Sequence, residues 1–426
     1  MEISEQLHLA LSLESALSRA SVTGEAGYFR LPKSTQLDAI PQDPRNPITQ
    51  EKVTLGRLLY HETGMGNNPV KQEGEYTYSC ASCHHAAAGF QAGRQQGIGE
   101  GGTGFGVRGE ARTINSLYQE NEIDVQPIRS PSALNVAFQR VMLWNGQFGA
   151  NGPNAGTNSR WIPNTPIAVN ELGYDGVESQ AIAGLTVHRM LVDRAWVLSM
   201  EYQSLFDAAF PTWEESRRYS NESAGLAIAA YERTLLAQQA PFQRFLAGDR
   251  SAMSESELEG AILFFGKANC VSCHTGPALN SERFYALGMN DLDGPGVYGE
   301  GMNDKTQLGR GGFTGLESDH YKFKVPQLYN LKDSPFLGHG GTFRSIREVV
   351  EYKNQAVSEN PLVSAEALDT QFSPLHLSNQ EVESITIFLR DGLYDPALLR
   401  YVPENVISGF CFPNADDRSR EDLGCW

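Results

Sequence analysis

The sequence contains no uninterrupted run of about 18 apolar residues, so we expect no helix that crosses a membrane. It also lacks an excess of positive charge, because 51 Asp and Glu outnumber 34 Lys and Arg and leave a formal net charge of −17. This balance argues against nucleic acid as a partner, since phosphate binding depends on Lys and Arg. An acidic surface can attract a basic partner protein or can simply be solvated, and charge alone does not separate the two.

A secretory signal is also missing, since residues 1–22 mix polar and apolar side chains without a long apolar core. We therefore expect the chain to be a mature protein behind a start Met. Its 426 residues suggest two or three domains, at about 150 residues per domain.

Cysteine is scarce, and four of the six cysteines belong to two copies of the pattern C-x-x-C-H, at residues 80–84 and 270–274. This pattern attaches a c-type haem, because the cysteines form thioethers with the porphyrin and the histidine becomes an axial ligand of the iron. A single copy could be half of a zinc site or a thiol redox pair, but two copies favour haem. We expect two covalently bound haem c groups, attached at Cys80, Cys83, Cys270 and Cys273 and ligated by His84 and His274.

The two remaining cysteines, Cys411 and Cys425, lie close together near the C-terminus, with 13 residues between them. A disulfide that closes such a loop would stabilise the tail, and two free thiols are the alternative. A disulfide and covalent haem attachment both belong to an oxidising compartment, so we expect a periplasmic protein.

Helical patterns dominate the rest of the chain, and strand patterns are sparse. Apolar residues recur at helical spacing in segments 7–17, 53–64 and 177–191, and segment 224–246 is predicted as one long helix. A helix and a short turn precede each C-x-x-C-H copy, which indicates a duplicated haem domain. We expect a mainly α fold of two cytochrome-c-like haem domains with long irregular loops, divided into a wrapping segment at 1–44, haem domains at 45–222 and 223–402, and a tail with a disulfide at 403–426.

The order of these segments resembles the bacterial di-haem cytochrome c peroxidase/MauG family. The matching pieces cover roughly residues 45–395, and their order is more specific than any single piece. They are LGRLLYHET, CASCH, RSPSALNVAF with LWNGQF, VESQA, FDAAFP, AAYERTLLAQQAPFQRFLAGD, LFFGKANCVSCHTGP, FKVPQLYNL and SIREVVEY.

The resemblance implies that peroxide reacts at the N-terminal haem and that the C-terminal haem relays electrons. By motif match, Trp144 of LWNGQF is the residue between the two haems. Arg129 is implied to lie close to the first haem and the domain interface, and His339 to line the C-terminal haem or bind a propionate. A calcium ion near this junction and a homodimer are both compatible with the resemblance.

In function, the resemblance implies an oxidoreductase that reduces hydrogen peroxide with electrons from a small redox protein, such as a cytochrome c or a cupredoxin. The alternative is a MauG-like oxidase, which uses peroxide to oxidise or modify a residue of a partner protein. A third possibility is a non-catalytic di-haem electron carrier or sensor.

At the first haem, the chain departs from the peroxidases in two places. Where they carry a capping histidine after an Ile-Gly pair, this chain has Glu100, and no histidine lies between His85 and His188. Where they carry a catalytic glutamate before the equivalent of Met190, this chain has Arg189. We expect an open haem with His188 and Arg189 as the distal pair and Glu100 as a rival acid. Alternatively, His188 and Arg189 are ordinary residues on a helix surface, and the true distal group lies in the inserted loop.

At the second haem, the methionine ligand of the peroxidases is missing, because no methionine follows Met302. The equivalent helix position aligns best with Lys353, and Tyr352 is one residue away. A neutral lysine amine or a tyrosinate can ligate iron, and both would stabilise ferric iron relative to methionine. The other possible ligands are Met289, Met302, a histidine or water.

Overall fold

The computed structural model describes residues 5–299 and 304–425, and in them the chain forms fourteen α-helices joined by loops and short 3₁₀ turns. The mainly α fold expected from the sequence is therefore confirmed. The helices are α1 Glu5–Ala20, α2 Gln50–His61, α3 Gly176–Val187, α4 Arg194–Ser199, α5 Gln203–Ala209, α6 Glu215–Arg218, α7 Asn221–Arg233, α8 Pro241–Leu246, α9 Glu255–Phe265, α10 Asp304–Gln307, α11 Arg310–Thr314, α12 Ile346–Gln355, α13 Asn379–Ile387 and α14 Asp417–Leu423.

The strands described are two residues long and form two antiparallel pairs. Strand β1, Gly102–Thr103, pairs with β2, Thr113–Ile114. Strand β3, Phe284–Tyr285, pairs with β4, Phe323–Lys324. Each pair closes a loop near one of the two C-x-x-C-H motifs.

Three helices, α2, α3 and α7, pack together beside the first motif. Helix α2 begins at the N-cap Thr49, whose side chain accepts a hydrogen bond from Lys52 N–H. A Cβ atom at Gly56 would lie 1.9 Å from Ala227 O, so only glycine allows α2 and α7 to approach this closely. The fully buried Leu55 fills the same contact.

Beside the second motif, α9 packs against α13 and the N-terminal helix α1. Helix α9 begins with the expected capping box, in which the Ser254 hydroxyl accepts from Glu257 N–H. A Cβ atom at Gly260 would lie 2.0 Å from Ser384 O, which is the close contact that joins α9 to α13. The wrapping segment thus brings its helix to the second motif and not to the first.

One helix prediction was wrong, because segment 224–246 does not form a single helix. Helix α7 ends at Arg233 and α8 starts at Pro241, which occupies the first helical turn. Between α7 and α8, other parts of the chain form hydrogen bonds with the backbone N–H and C=O groups. Asn135 Oδ1 accepts from Ala237 N–H at 3.0 Å, and Leu236 bonds the Tyr401 hydroxyl through both its N–H and its carbonyl.

The C-terminal tail is closed by the predicted disulfide between Cys411 and Cys425. Its carboxylates hold the glycine-rich loop after the first motif. Asp416 Oδ1 accepts from Gly104 N–H at 2.9 Å, and Asp422 Oδ2 accepts from Phe105 N–H at 2.7 Å. The tail is therefore part of the architecture around the first motif.

Among the residues described, no helix has both the length and the apolar character that crossing a bilayer would require.

Candidate functional site

The first C-x-x-C-H motif forms a 3₁₀ turn that presents two unpaired thiols, Cys80 and Cys83, and then His84. The Nδ1 atom of His84 lies 3.4 Å from Phe90 O, which leaves Nε2 available to a metal. The Tyr60 hydroxyl donates to His84 O at 2.7 Å and fixes the backbone of the ligand. This is the arrangement that covalent haem attachment requires.

Four side chains at this motif are neither fully buried nor fully exposed. They are Cys80, Cys83, His84 and His188. Both thiols are unpaired, so they are available for thioether bonds. The residues of the first site therefore fit a haem group.

His188 follows the last residue of α3 and is tied to a carboxylate. Its Nδ1 atom lies 2.8 Å from Asp124 Oδ2, and one third of its side chain is accessible. Burial would lower the pKa of His188, but the Asp124 carboxylate outweighs burial and raises that pKa above its ordinary value. Burial, with a contribution from the charge of His188, lowers the pKa of His84 to about 4. His188 therefore lies near the proximal histidine, with its Nε2 atom free.

Arg189 has a left-handed backbone, with φ at 56°, which turns the chain sharply after His188. Its Nη1 atom donates to Glu100 Oε2 at 2.6 Å and to Glu122 O at 2.7 Å. Glu100 Oε1 also accepts from two backbone N–H groups and from the Tyr118 hydroxyl. Glu100 is fully buried and holds four donors, so it anchors Arg189 and is not placed as a free acid.

Sequence reasoning missed Asp124, which lies in a loop with no motif. The structure places it through two backbone bonds: Asp124 N–H donates to Glu100 O, and Gly99 N–H donates to Asp124 O, both at 2.9 Å. These bonds set the two carboxylates side by side, opposite the adjacent His188 and Arg189. An acidic residue 24 positions after Glu100 carries no local signal of this pairing.

The second motif opens on a cavity of about 480 Å³, within the range of about 300–1,000 Å³ that is typical of ligand sites. Cys270, Cys273 and His274 line it, and both thiols are unpaired. His274 Nδ1 lies 2.9 Å from Leu279 O and 3.1 Å from Pro326 O, which directs Nε2 into the cavity. The residues of the second site fit a haem group as well.

The charged lining of this cavity is entirely cationic. Arg129, Lys324 and Lys353 line it together with His339, and no Asp or Glu among the described residues does so. In a chain with a formal net charge of −17, such a lining suits a ligand that carries carboxylates, as haem does through its two propionates.

The two ligand candidates on α12 are placed differently. Lys353 lines the cavity, and burial lowers the pKa of its amine to about 8. The Tyr352 hydroxyl instead donates to Leu287 O at 2.5 Å, and Tyr352 is not among the lining residues. Met289 also lines the cavity, whereas Met302 lies outside the described residues. The structure thus favours Lys353 over Tyr352.

Trp144 lines the second cavity and forms hydrogen bonds with the backbone of two other residues. Its indole N–H donates to Arg129 O at 2.8 Å, and its carbonyl accepts from Lys324 N–H at 2.7 Å. The ring centroid of His339 lies 6.2 Å from that of Trp144, and Phe323 stacks on His339 at 3.7 Å. Trp144, Arg129 and His339 are therefore brought together at the second site, whereas His188, Arg189 and Glu100 gather at the first.

Comparison with known proteins agrees with the two sites. A family model described as di-haem cytochrome c peroxidase matches residues 50–251. The methylamine utilization protein MauG of Methylophilus methylotrophus is 26% identical over 393 residues, which are 90% of this chain and 94% of that protein. The cytochrome-c peroxidase IdrP1 of Denitromonas iodatirespirans is 26% identical over 409 residues, with 90% and 92% covered.

Two solved structures share the fold. A MauG-like protein associated with microbial copper homeostasis aligns with a TM-score of 0.58 at 22% identity, covering 87% of this chain and 96% of that one. The diheme peroxidase BthA from Burkholderia thailandensis aligns with a TM-score of 0.53 at 13% identity, covering 84% and 89%. At these identities the likeness is one of fold.

Proposed function

We propose that this chain, as a di-haem peroxidase-like oxidoreductase of the di-haem cytochrome c peroxidase/MauG family, reduces hydrogen peroxide at the first motif with electrons that enter through the second. The observation that carries this proposal is the His188–Asp124 pair near His84. An electron carrier has no need of a positioned acid–base group there.

Two haem c groups are the cofactors of this family, and both sites offer the residues to hold them. When bound, a haem supplies the iron that exchanges electrons with peroxide or with a donor. The thioether and proximal positions are Cys80, Cys83 and His84 at the first site, and Cys270, Cys273 and His274 at the second.

His188 is proposed to move the proton in peroxide cleavage. Asp124 holds its Nδ1–H, so Nε2 can accept a proton from one peroxide oxygen and return it to the other. Each turnover consumes one hydrogen peroxide, two electrons and two protons and releases two waters. Arg189, held by Glu100, provides a fixed positive charge next to this proton carrier.

Trp144 is proposed as the relay between the sites, since it touches the cavity of the second motif and is fixed by bonds from both sides. The donor is proposed to be a small redox protein, a cytochrome c or a cupredoxin, that the acidic surface attracts. The tail disulfide and the two haem attachment motifs support a periplasmic location.

A MauG-like oxidase is the second candidate function, and the environment of His85 supports it. The His85 ring packs against Phe105 at 5.0 Å, and a Cβ atom at Gly109 would lie 2.6 Å from its Nε2. His85 is thus enclosed by the glycine-rich loop and is not placed to cap the first haem. An open first site with a lysine at the second suits an enzyme that stores oxidising equivalents.

Absorption and EPR spectra of the di-haem protein, recorded before and after peroxide addition, test the proposal. We expect one high-spin and one low-spin ferric haem, and rapid peroxide turnover when a reduced small cytochrome c is supplied. Slow turnover with a long-lived oxidised state would instead assign the MauG-like activity. Two six-coordinate low-spin haems that do not react with peroxide would overturn both.

Asp124→Asn should shift the pH dependence of the reaction. His188 must be neutral to accept a proton, so kcat/KM for peroxide rises as the pH passes through the raised pKa of His188. Without the carboxylate that raises this pKa, the inflection should move to lower pH by about 1–2 pH units. The measurement is kcat/KM for peroxide from pH 4.5 to 9.

Glu122→Gln is the matched control, because Glu122 lies in the same loop and its carboxylate pairs with Lys71 at 2.6 Å. It removes the same charge without touching His188, and its inflection should stay at the wild-type pH. An equal displacement in both variants would assign the effect to net charge and contradict the role of Asp124.

A further inference from the structure

Arg129 is a buried guanidinium group, and no carboxylate among the described residues pairs with it. The residue is 1% exposed, and its five hydrogen-bond acceptors are all uncharged oxygens. Nη1 donates to Arg94 O and Gln95 O, at 2.7 and 3.1 Å. Nη2 donates to Gln91 Oε1, Ala92 O and Ser334 Oγ, at 3.0, 2.9 and 2.7 Å.

These partners come from two distant parts of the chain. Four of them belong to segment 91–95, which follows the first motif, whereas Ser334 follows the second. The Arg129 N–H also donates to His339 O at 3.0 Å. One positive charge therefore links the backbone near the first motif to the wall of the second cavity.

Burying a charge without a counter-ion is costly, and the lowered pKa of Arg129 reflects that cost. Burial, with the like charge of Arg344, lowers the pKa of Arg129 to about 9, so the guanidinium remains protonated at neutral pH. Among the described residues, no Asp or Glu lines this cavity, so the offsetting charge there would come from the carboxylates of a bound haem. A positive charge that is buried in this way indicates a structural or electrostatic role for Arg129.

A second guanidinium is surrounded by oxygen acceptors in the loop that follows Trp144. Arg310, 4% exposed, donates through Nη1 to Asn145 O, Gly146 O and Asn154 Oδ1 and through Nη2 to Pro153 O, at 2.7–3.2 Å. The loop that carries Trp144 is thus enclosed by two buried arginines. Arg310 is not among the residues that line the second cavity.

This junction is where the family resemblance implies a calcium ion, and the residues present do not fit one. Calcium needs about six to eight oxygen ligands. Five oxygens at this junction already accept from the Arg129 guanidinium, and four already accept from that of Arg310. Among the described residues, no group of three or more His, Cys, Asp and Glu side chains could hold a metal ion.

We propose that Arg129 is the fixed cation of the domain junction, that it serves there in place of calcium, and that it positions Trp144 and places a permanent positive charge beside the second haem. The proposal rests on the proposed function only in taking the second cavity to hold haem. The carbonyl that accepts the Trp144 indole N–H belongs to Arg129 itself, so the charge and the indole are fixed by one residue.

A positive charge next to a redox centre favours its reduced state, because reduction adds negative charge. Arg129 should therefore keep the reduction potential of the second haem higher than it would be without this charge. Because the cation is covalently part of the chain, chelators cannot remove it.

The test uses the purified di-haem protein and three variants, Arg129→Gln, Arg129→Lys and Arg310→Gln. The readouts are the midpoint potential of the second haem, from spectroelectrochemical titration, and Tm with and without EGTA or added calcium chloride. We expect the wild-type potential and Tm to be unaffected by either addition. Arg129→Gln should lower the potential, Arg129→Lys should restore most of it, and Arg310→Gln should lower Tm without shifting the potential.

Loss of Tm or potential on EGTA treatment of the wild type, restored by calcium, would overturn the proposal. An unchanged potential in Arg129→Gln would also overturn it. If Arg129→Gln does not fold, Arg129→Lys and the chelation of the wild type still decide, since a calcium-dependent junction responds to EGTA. None of these measurements uses peroxide, so failure of the peroxidase proposal would leave their outcome unaffected.

Discussion

His188→Ala should lower kcat/KM for hydrogen peroxide by about 10²–10⁴-fold, the range that a positioned general acid–base group contributes. The loss is expected because the site offers no other placed proton carrier. Glu100, the nearest carboxylate to Arg189, already accepts four hydrogen bonds. The measurement is steady-state peroxide reduction at saturating electron donor, with stopped-flow absorbance to isolate the peroxide reaction itself.

His188→Gln is the matched control for packing. Its side-chain amide can keep a bond to Asp124 but cannot carry a proton at neutral pH, so it should lose nearly as much activity as His188→Ala. In both variants the spectrum of the second haem should remain that of the wild type. Wild-type kcat/KM in His188→Ala would remove His188 from the mechanism.

Lys353→Ala should abolish the six-coordinate low-spin signal of the second haem. Lys353 and His274 line the same cavity, and burial lowers the pKa of the Lys353 amine to about 8, so a neutral nitrogen is available at little cost. Lys353→Met should restore a low-spin haem with a higher reduction potential, because a thioether favours ferrous iron. EPR and spectroelectrochemical titration report both changes.

Two neighbours of Lys353 provide the controls for this assignment. Tyr352→Phe should leave the spectrum unchanged, because the hydroxyl of Tyr352 is bonded to Leu287 O. Met289→Leu removes the other candidate ligand in the cavity and should also leave it unchanged. A low-spin signal that survives Lys353→Ala and disappears in Met289→Leu would transfer the ligand role to Met289.

Sequence patterns predicted the helices that carry their own signals. Helices α1, α2 and α9 have apolar faces, and α9 has a capping box that can be read from Ser254 and Glu257. The break after Arg233 could not be predicted in this way, because Asn135 and Tyr401 bond the intervening backbone from positions about 100 and 165 residues away. Long-range partners of this kind leave no mark on local periodicity.

The functional sites show the same difference between residues with a local sequence signal and residues placed by long-range partners. The C-x-x-C-H spacing identifies the attachment cysteines because the chemistry is local. Asp124 could not be found, since its pairing with His188 depends on backbone bonds to Gly99 and Glu100. The choice between Tyr352 and Lys353 also needed the structure, because adjacent helical residues point about 100° apart and only one reaches the cavity.

The tail has a consequence for the order in which the protein matures. Pro413 O accepts bonds from the hydroxyls of Ser79 and Ser82, at 2.9 and 3.1 Å, so the tail contacts the first motif directly. These contacts join residues that the ribosome adds more than 300 positions apart. The tail can therefore make these contacts only after the whole chain is present. The Cys411–Cys425 disulfide then closes the tail beside the first haem site.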